Sequence, residues 1–130
     1  MNLSKRNEAQ VLGAWGEQRA CEFLEQMGMF LIERNFHVRE GEIDLVMEDS
    51  GTLVFVEVKT RASLLFGTPE DSIHKKKLMR LYKAAHAYLE IQEDPELDWR
   101  IDIVAIECTS DRILKRIDHY PNIALMEDRG

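Results

Sequence analysis

The residues best suited to chemistry in this chain are Asp44, Glu57 and Lys59, separated by twelve residues and by one. Whether they meet depends on one hairpin. The runs Glu42 to Glu48 and Leu53 to Lys59 read as strands joined through Asp49-Ser50-Gly51-Thr52, and Ser-Gly between β-rich runs is a hairpin signal. With Ser50-Gly51 as a two-residue loop, facing residues have numbers that sum to 101, so Asp44 faces Glu57 and Glu42 faces Lys59. A four-residue loop keeps the same register. One face then carries Ile43, Leu45, Met47, Val54, Val56 and Val58 and must be core. The other carries Val46, Leu53 and Phe55 toward the turn, and Glu42, Asp44, Glu57 and Lys59 toward the open end.

Carboxylates that face each other on neighbouring strands start ~4.5–5.5 Å apart and repel. Lys59, on the same face as Glu57, is one remedy. A divalent cation is another, because Mg²⁺ takes hard oxygen ligands and is usually held by one or two carboxylates plus water and phosphate oxygens. Spacing alone supports a metal site and a salt-bridge cluster on a half-exposed sheet face equally.

The surrounding elements have to hold this hairpin. From Asn7 to Gly28, Leu12, Trp15, Ala20, Phe23, Leu24 and Met27 recur at helical spacing, with Gly28 as the stop. Gly13 and Gly16 each cost a helix interior about 1 kcal/mol, so close approach to the backbone is expected there. Residues 29–37 read as a strand. Thr68-Pro69-Glu70-Asp71 has the order of a helix start, and the helix is expected to run to about Ile91 with Ile73, Leu78, Leu81, Ala84, Ala85, Tyr88 and Leu89 inward. Trp99 to Glu107 and Ile113 to Tyr120 are two further strands. The order is α-β-β-β-α-β-β, which predicts an α/β fold with a central mixed β-sheet flanked by helices. With 130 residues the chain is expected to form a single domain, its core spanning about residues 10–120.

The pattern Asp44, twelve residues, Glu57-Val58-Lys59 matches the signature of the PD-(D/E)xK nuclease superfamily. More closely, the chain resembles the YraN-like family of bacterial proteins, akin to archaeal Holliday junction resolvases. The likeness is carried by Gly13-Ala14-Trp15-Gly16-Glu17 with Ala20, Arg34-Asn35, Gly41-Glu42-Ile43-Asp44-Leu45, Phe55-Val56-Glu57-Val58-Lys59-Thr60-Arg61 and Arg100-Ile101-Asp102. Ile43 stands where the superfamily name has proline. The resemblance implies a restriction-endonuclease-like core and Mg²⁺- or Mn²⁺-dependent cleavage of DNA, in particular branched or structured DNA. It implies Asp44, Glu57 and the Val58 carbonyl as metal ligands, Lys59 as the group that orients or activates water, and Glu17 reaching the same site from the first helix. The resolvase analogy also suggests a two-fold homodimer, since paired cuts need paired sites. The contrasting expectation is a nucleic-acid-binding or assembly protein that keeps the fold without turnover.

Charge bears on both. The net charge of -7 excludes a uniformly basic nucleic-acid binder. Yet Lys59, Arg61, Lys75, Lys76, Lys77, Arg80 and Lys83 are offset only by Glu70 and Asp71 between residues 59 and 83, so a basic strip can exist. Lys76 and Arg80, a turn apart, are candidate DNA-backbone contacts, as is Arg61; each also reads as an ordinary surface cation. Asp102 either points toward the active face or pairs with Arg100 or Arg34. The histidines show no metal-ligand spacing. Cys21 and Cys108 suggest neither a disulfide framework nor a zinc site. No apolar run reaches the ~20 residues a membrane span needs, and a cytoplasmic protein is expected.

Overall fold

The structure, a computed structural model, describes residues 3–62 and 75–123. Its elements are α1 (Leu3–Gln26), β1 (Phe30–Val38), β2 (Gly41–Asp49), β3 (Thr52–Arg61), α2 (Lys75–Gln92), β4 (Trp99–Cys108) and β5 (Leu114–Tyr120). They follow the predicted order. The expected start of α2 at Thr68-Pro69-Glu70-Asp71, with Ile73, lies outside the described residues.

Local signals explain the boundaries. Ser50 (φ 51°) and Gly51 (φ 90°) both adopt left-handed backbone, which a two-residue hairpin loop requires. Leu45 therefore pairs with Val56, Val46 with Phe55 and Asp49 with Thr52, the register read from the sequence. α1 stops at a Schellman motif: Gly28, at φ 97°, donates to the Glu25 carbonyl and Met29 to the Leu24 carbonyl, while Met29 and Leu24 share one apolar cluster. α1 begins at Leu3, earlier than the expected Asn7. Its Met27, expected inward, is exposed, because it lies past the last turn that touches the sheet.

The strands lie in the order β1-β2-β3-β4-β5, all neighbours antiparallel except β3 and β4, which are parallel and connected across α2. Both faces are covered. Ala20 and Leu24 of α1 pack on Leu45, Met47, Val54, Val56, Val104 and Ile106, with Trp15 half-buried at the margin. Leu81, Ala84, Ala85 and Tyr88 of α2 pack on Ile43, Val46, Leu53, Phe55 and Ile101. Each buried Leu, Ile or Phe contributes about 1.5–3 kcal/mol. Edge-on ring contacts of Tyr88 with Phe36 (5.1 Å) and Phe55 (5.5 Å) lock α2 to the sheet.

Ile43 corrects the face assignment. It packs on the α2 side with Val46, whereas Leu45 packs on the α1 side. Residues two apart on a regular strand share a face, so the chain rotates between them. The neighbouring strand does the same: Arg34, paired with Leu45, reaches Gln18 of α1 at 2.8 Å, while Phe36, paired with Ile43, meets Tyr88 of α2. Between Arg34 and Phe36 sits Asn35 at φ 52°, a conformation asparagine tolerates better than most residues. The two strands change face together, at Asn35 and Asp44.

The two α1 glycines differ. A Cβ on Gly16 would clash with Thr60 Oγ1, so close approach holds there; one on Gly13 would meet no described residue within 4 Å, and Gly13 instead opens onto a cavity. Asp102 is fully buried and structural. It accepts from Arg100 Nε at 3.0 Å and from the Asn122 N–H at 2.9 Å, and lies 2.7 Å from His119 Nε2; Arg100 also donates to Asp49. Of the two sequence alternatives, pairing with Arg100 is the one realised. Cys21 and Cys108 are free and buried.

Candidate active site

At Asp44 the paired register of β2 and β3 has ended, its last pair being Leu45 with Val56. The strands part here, and the Asp44 side chain fills the opening: its Oδ2 accepts the Val58 N–H at 2.8 Å. Glu57, on the α2 side of β3, is the second buried carboxylate. Burial and the neighbouring Glu57 push the Asp44 carboxyl up to about 8. Burial also raises Glu57, opposed by the hydrogen bond and charge of Lys77. Two buried carboxylates beside each other demand neutralising charge, from a proton on one of them or from a cation.

Lys59 is not the residue that meets this demand. The Lys77 ammonium sits 2.8 Å from Glu57 Oε2, whereas Lys59 is pulled below the ordinary lysine range by partial burial and by the charges of Lys77 and Arg61. Glu42, expected opposite Lys59, lies beyond the paired residues and instead sits 3.7 Å from His37 Nδ1 at the exposed end of β2. Lys77 was legible in one respect only. It stands one turn before buried Leu81, so it continues the inward stripe Leu81, Ala84, Tyr88 past the end of the sheet.

Glu17 joins the cluster from α1. Its carboxylate accepts a hydrogen bond from Asn35, and partial burial, then the charge of Glu42, raise its pKa. Asn35 thus serves twice, turning β1 and holding Glu17. Gly13, Glu17, Asp44, Glu57, Lys59 and Lys77 all line one cavity of about 290 Å³. Lys76 and Arg80 lie outside it. With Lys77 they line a neighbouring cavity of about 550 Å³ that shares the Glu57–Lys77 pair as its wall. Arg61, two residues beyond Lys59 on β3, is half-buried, and its Nε has no hydrogen-bond partner among the described residues. A separate cavity of about 400 Å³ by His86, Leu89 and Trp99 holds none of the predicted site residues.

Among the described residues no three His, Cys, Asp or Glu side chains converge as a metal-binding group. The pair Asp44 and Glu57 could supply two carboxylate donors to a cation. Two carboxylates with the remaining positions left to carbonyl, water and phosphate oxygens suit Mg²⁺ or Mn²⁺.

Residues 16–106 match the family model described as uncharacterised protein family UPF0102. The chain belongs to the UPF0102 family. It is similar to the UPF0102 protein of Herpetosiphon aurantiacus, 38% identical over 123 residues that cover 92% of this chain and 98% of the relative. The UPF0102 protein of Syntrophomonas wolfei is 44% identical over 98 residues (74% of this chain, 85% of the relative), and that of Herminiimonas arsenicoxydans 44% over 110 residues (85% and 88%). The YraN-like resemblance is borne out by this membership. The UPF0102 match contains every residue of the candidate site, from Glu17 to Arg80. No helix among the described residues of this UPF0102 protein is long and apolar enough to cross a membrane.

Proposed function

We propose that this protein is a divalent-metal-dependent endonuclease that hydrolyses phosphodiester bonds in DNA. The supporting observation is the buried pair Asp44 and Glu57, brought together where β2 and β3 part, with Lys59 on the same cavity wall. In this reading Asp44, Glu57 and the Val58 carbonyl hold Mg²⁺ or Mn²⁺. When bound, such a cation supplies a Lewis acid that draws charge from a phosphoryl oxygen.

The chain's own residues supply the rest. The Val58 N–H fixes the Asp44 carboxylate, so the donor is oriented before a cation arrives. Lys59 orients the attacking water and stabilises the charge that builds on the phosphoryl oxygens, and its lowered pKa brings it closer to proton exchange at neutral pH. Glu17, held by Asn35, presents a third carboxylate to the same cavity, where it positions water. Lys76 and Arg80, both exposed on α2, contact the DNA backbone, with Arg61 at the end of β3. A preference for branched DNA and a two-fold homodimer follow from the resolvase resemblance.

Calorimetric titration with Mg²⁺ and Mn²⁺, followed by cleavage of duplex, flap and four-way-junction DNA, tests the proposal. Metal binding that Asp44→Asn weakens, together with cutting of at least one DNA structure, supports it. Absence of metal binding, or of any cutting in either metal, overturns it.

A further inference from the structure

The Glu57–Lys77 pair, with Glu42, is the shared wall of two cavities, the smaller richer in carboxylates and the larger in cations. On one side lie Glu17, Asp44 and Lys59, with about 290 Å³ of space. On the other, about 550 Å³ is lined by Lys76, Lys77 and Arg80, with Glu42, Glu57 and Leu81 completing the wall. Lys77 comes from α2, and its side chain is 48% exposed where Glu57 is 6% exposed. The carboxylate is held by the sheet; the ammonium sits on a flexible stem that can turn into either cavity. An ammonium and a divalent cation compete for one carboxylate, since either supplies its counter-charge and two cations drawn to the same group repel each other.

We propose that the larger cavity is a subsite for a phosphate group flanking the scissile one, and that Lys77 completes it only when a divalent cation takes over Glu57. Without the cation, Lys77 is the counter-ion of Glu57, and Lys76 and Arg80 face the subsite with Glu42 opposing them. With the cation, the ammonium is released beside Lys76 and Arg80 and the subsite gains one positive charge. Cation and phosphate polymer then bind cooperatively through a single side chain, and that coupling is reciprocal. The inference rests on the proposed nuclease function for its cation and its phosphodiester ligand. It adds a residue that neither the motif nor its spacing contains.

The test is a binding cycle on the full chain. Affinity for a short fluorescein-labelled DNA duplex is measured without divalent cation and in saturating Ca²⁺, an oxygen-seeking divalent cation, for wild type, Lys77→Met, Lys77→Gln and Lys77→Arg. Wild type is expected to bind more tightly in Ca²⁺. In Lys77→Met and Lys77→Gln the ratio of the two affinities falls by at least about fivefold, the lower end of ordinary coupling, and Lys77→Arg restores part of it. Thermal melts identify any variant that fails to fold, and the glutamine variant keeps polarity at this half-exposed position. If the ratio in the folded neutral variants equals that of wild type, Lys77 is not the coupling residue, and the nuclease proposal stands without it. If wild type binds Ca²⁺ and DNA with no coupling, the inference is overturned alone. If wild type binds neither, both fall.

Discussion

Asp44→Asn separates a metal site from a structural ion pair because the two demand opposite signs. In the folded chain, burial and Glu57 push the Asp44 carboxyl from the ordinary 3.8 up to about 8. Between these values the unfolded chain has lost a proton that the folded chain keeps. Folding stability therefore falls as pH rises through this window, by ~1.4 kcal/mol for each pH unit. The accumulated cost at full ionisation is on the order of 5 kcal/mol. Asparagine carries no such proton, yet its side-chain oxygen can still accept the Val58 N–H. The variant should match wild type near pH 4, gain on it steadily up to about pH 8, and hold a constant advantage beyond. With a urea dependence of ~2 kcal/mol per molar, the unfolding midpoint of the variant at pH 9 lies about two to three molar above that of wild type in EDTA. Saturating Mn²⁺ should narrow this gap by about half without reversing it, since a ligand at about a hundred times its dissociation constant adds ~2.7 kcal/mol to wild type. Urea midpoints across pH, with and without Mn²⁺, check each step. A difference that does not change with pH, or a variant less stable than wild type with unaltered metal affinity, would refute the reasoning.

Lys59→Met should leave DNA and metal binding nearly intact while slowing single-turnover cleavage at least ~10²-fold, the scale of one positioned electrostatic or acid-base group. A methionine variant that cleaves as fast as wild type counts against the role given to Lys59. Replacing Lys76 and Arg80 together should flatten the slope of log affinity against log salt by up to about two, since each phosphate neutralised contributes ~0.9. An unchanged slope moves the DNA track, with Arg34, His37 and Arg39 as the next candidates. Gly41→Ala should cost about 1–3 kcal/mol in thermal or urea unfolding, because its Cβ would meet the Arg80 backbone carbonyl at 2.5 Å. Gly13→Ala, whose Cβ meets no described residue within 4 Å, should gain up to ~1 kcal/mol of helix propensity in the same assay.

Much of the site was legible because its central hairpin is locally encoded. The alternation of Leu45, Met47, Val54 and Val56 and the turn at Ser50-Gly51 lie within a dozen residues, and turn chemistry with a period of two specifies register without help from the rest of the chain. That register brings Asp44 and Glu57 together. The Gly28 stop was readable for the same reason, since a left-handed glycine and two backbone bonds terminate α1 locally. The rotation at Asp44 was not, because it depends on β1: Asn35 at φ 52° turns one strand, and the pairing of Arg34 and Phe36 carries the turn into the other. Nor was the partner of Glu57. Lys75, Lys76 and Lys77 are alike to any reading of charge, and which of them reaches the carboxylate is decided by the rotation of α2 about its own axis. That rotation is set where Tyr88 meets Phe36 and Phe55 and where Gly41 meets the Arg80 backbone. The stripe of Leu81, Ala84 and Tyr88 puts Lys77 on the inward side of α2, but the contacts that set Glu57 beneath it join β1, β2, β3 and α2, and no local stretch of sequence contains them.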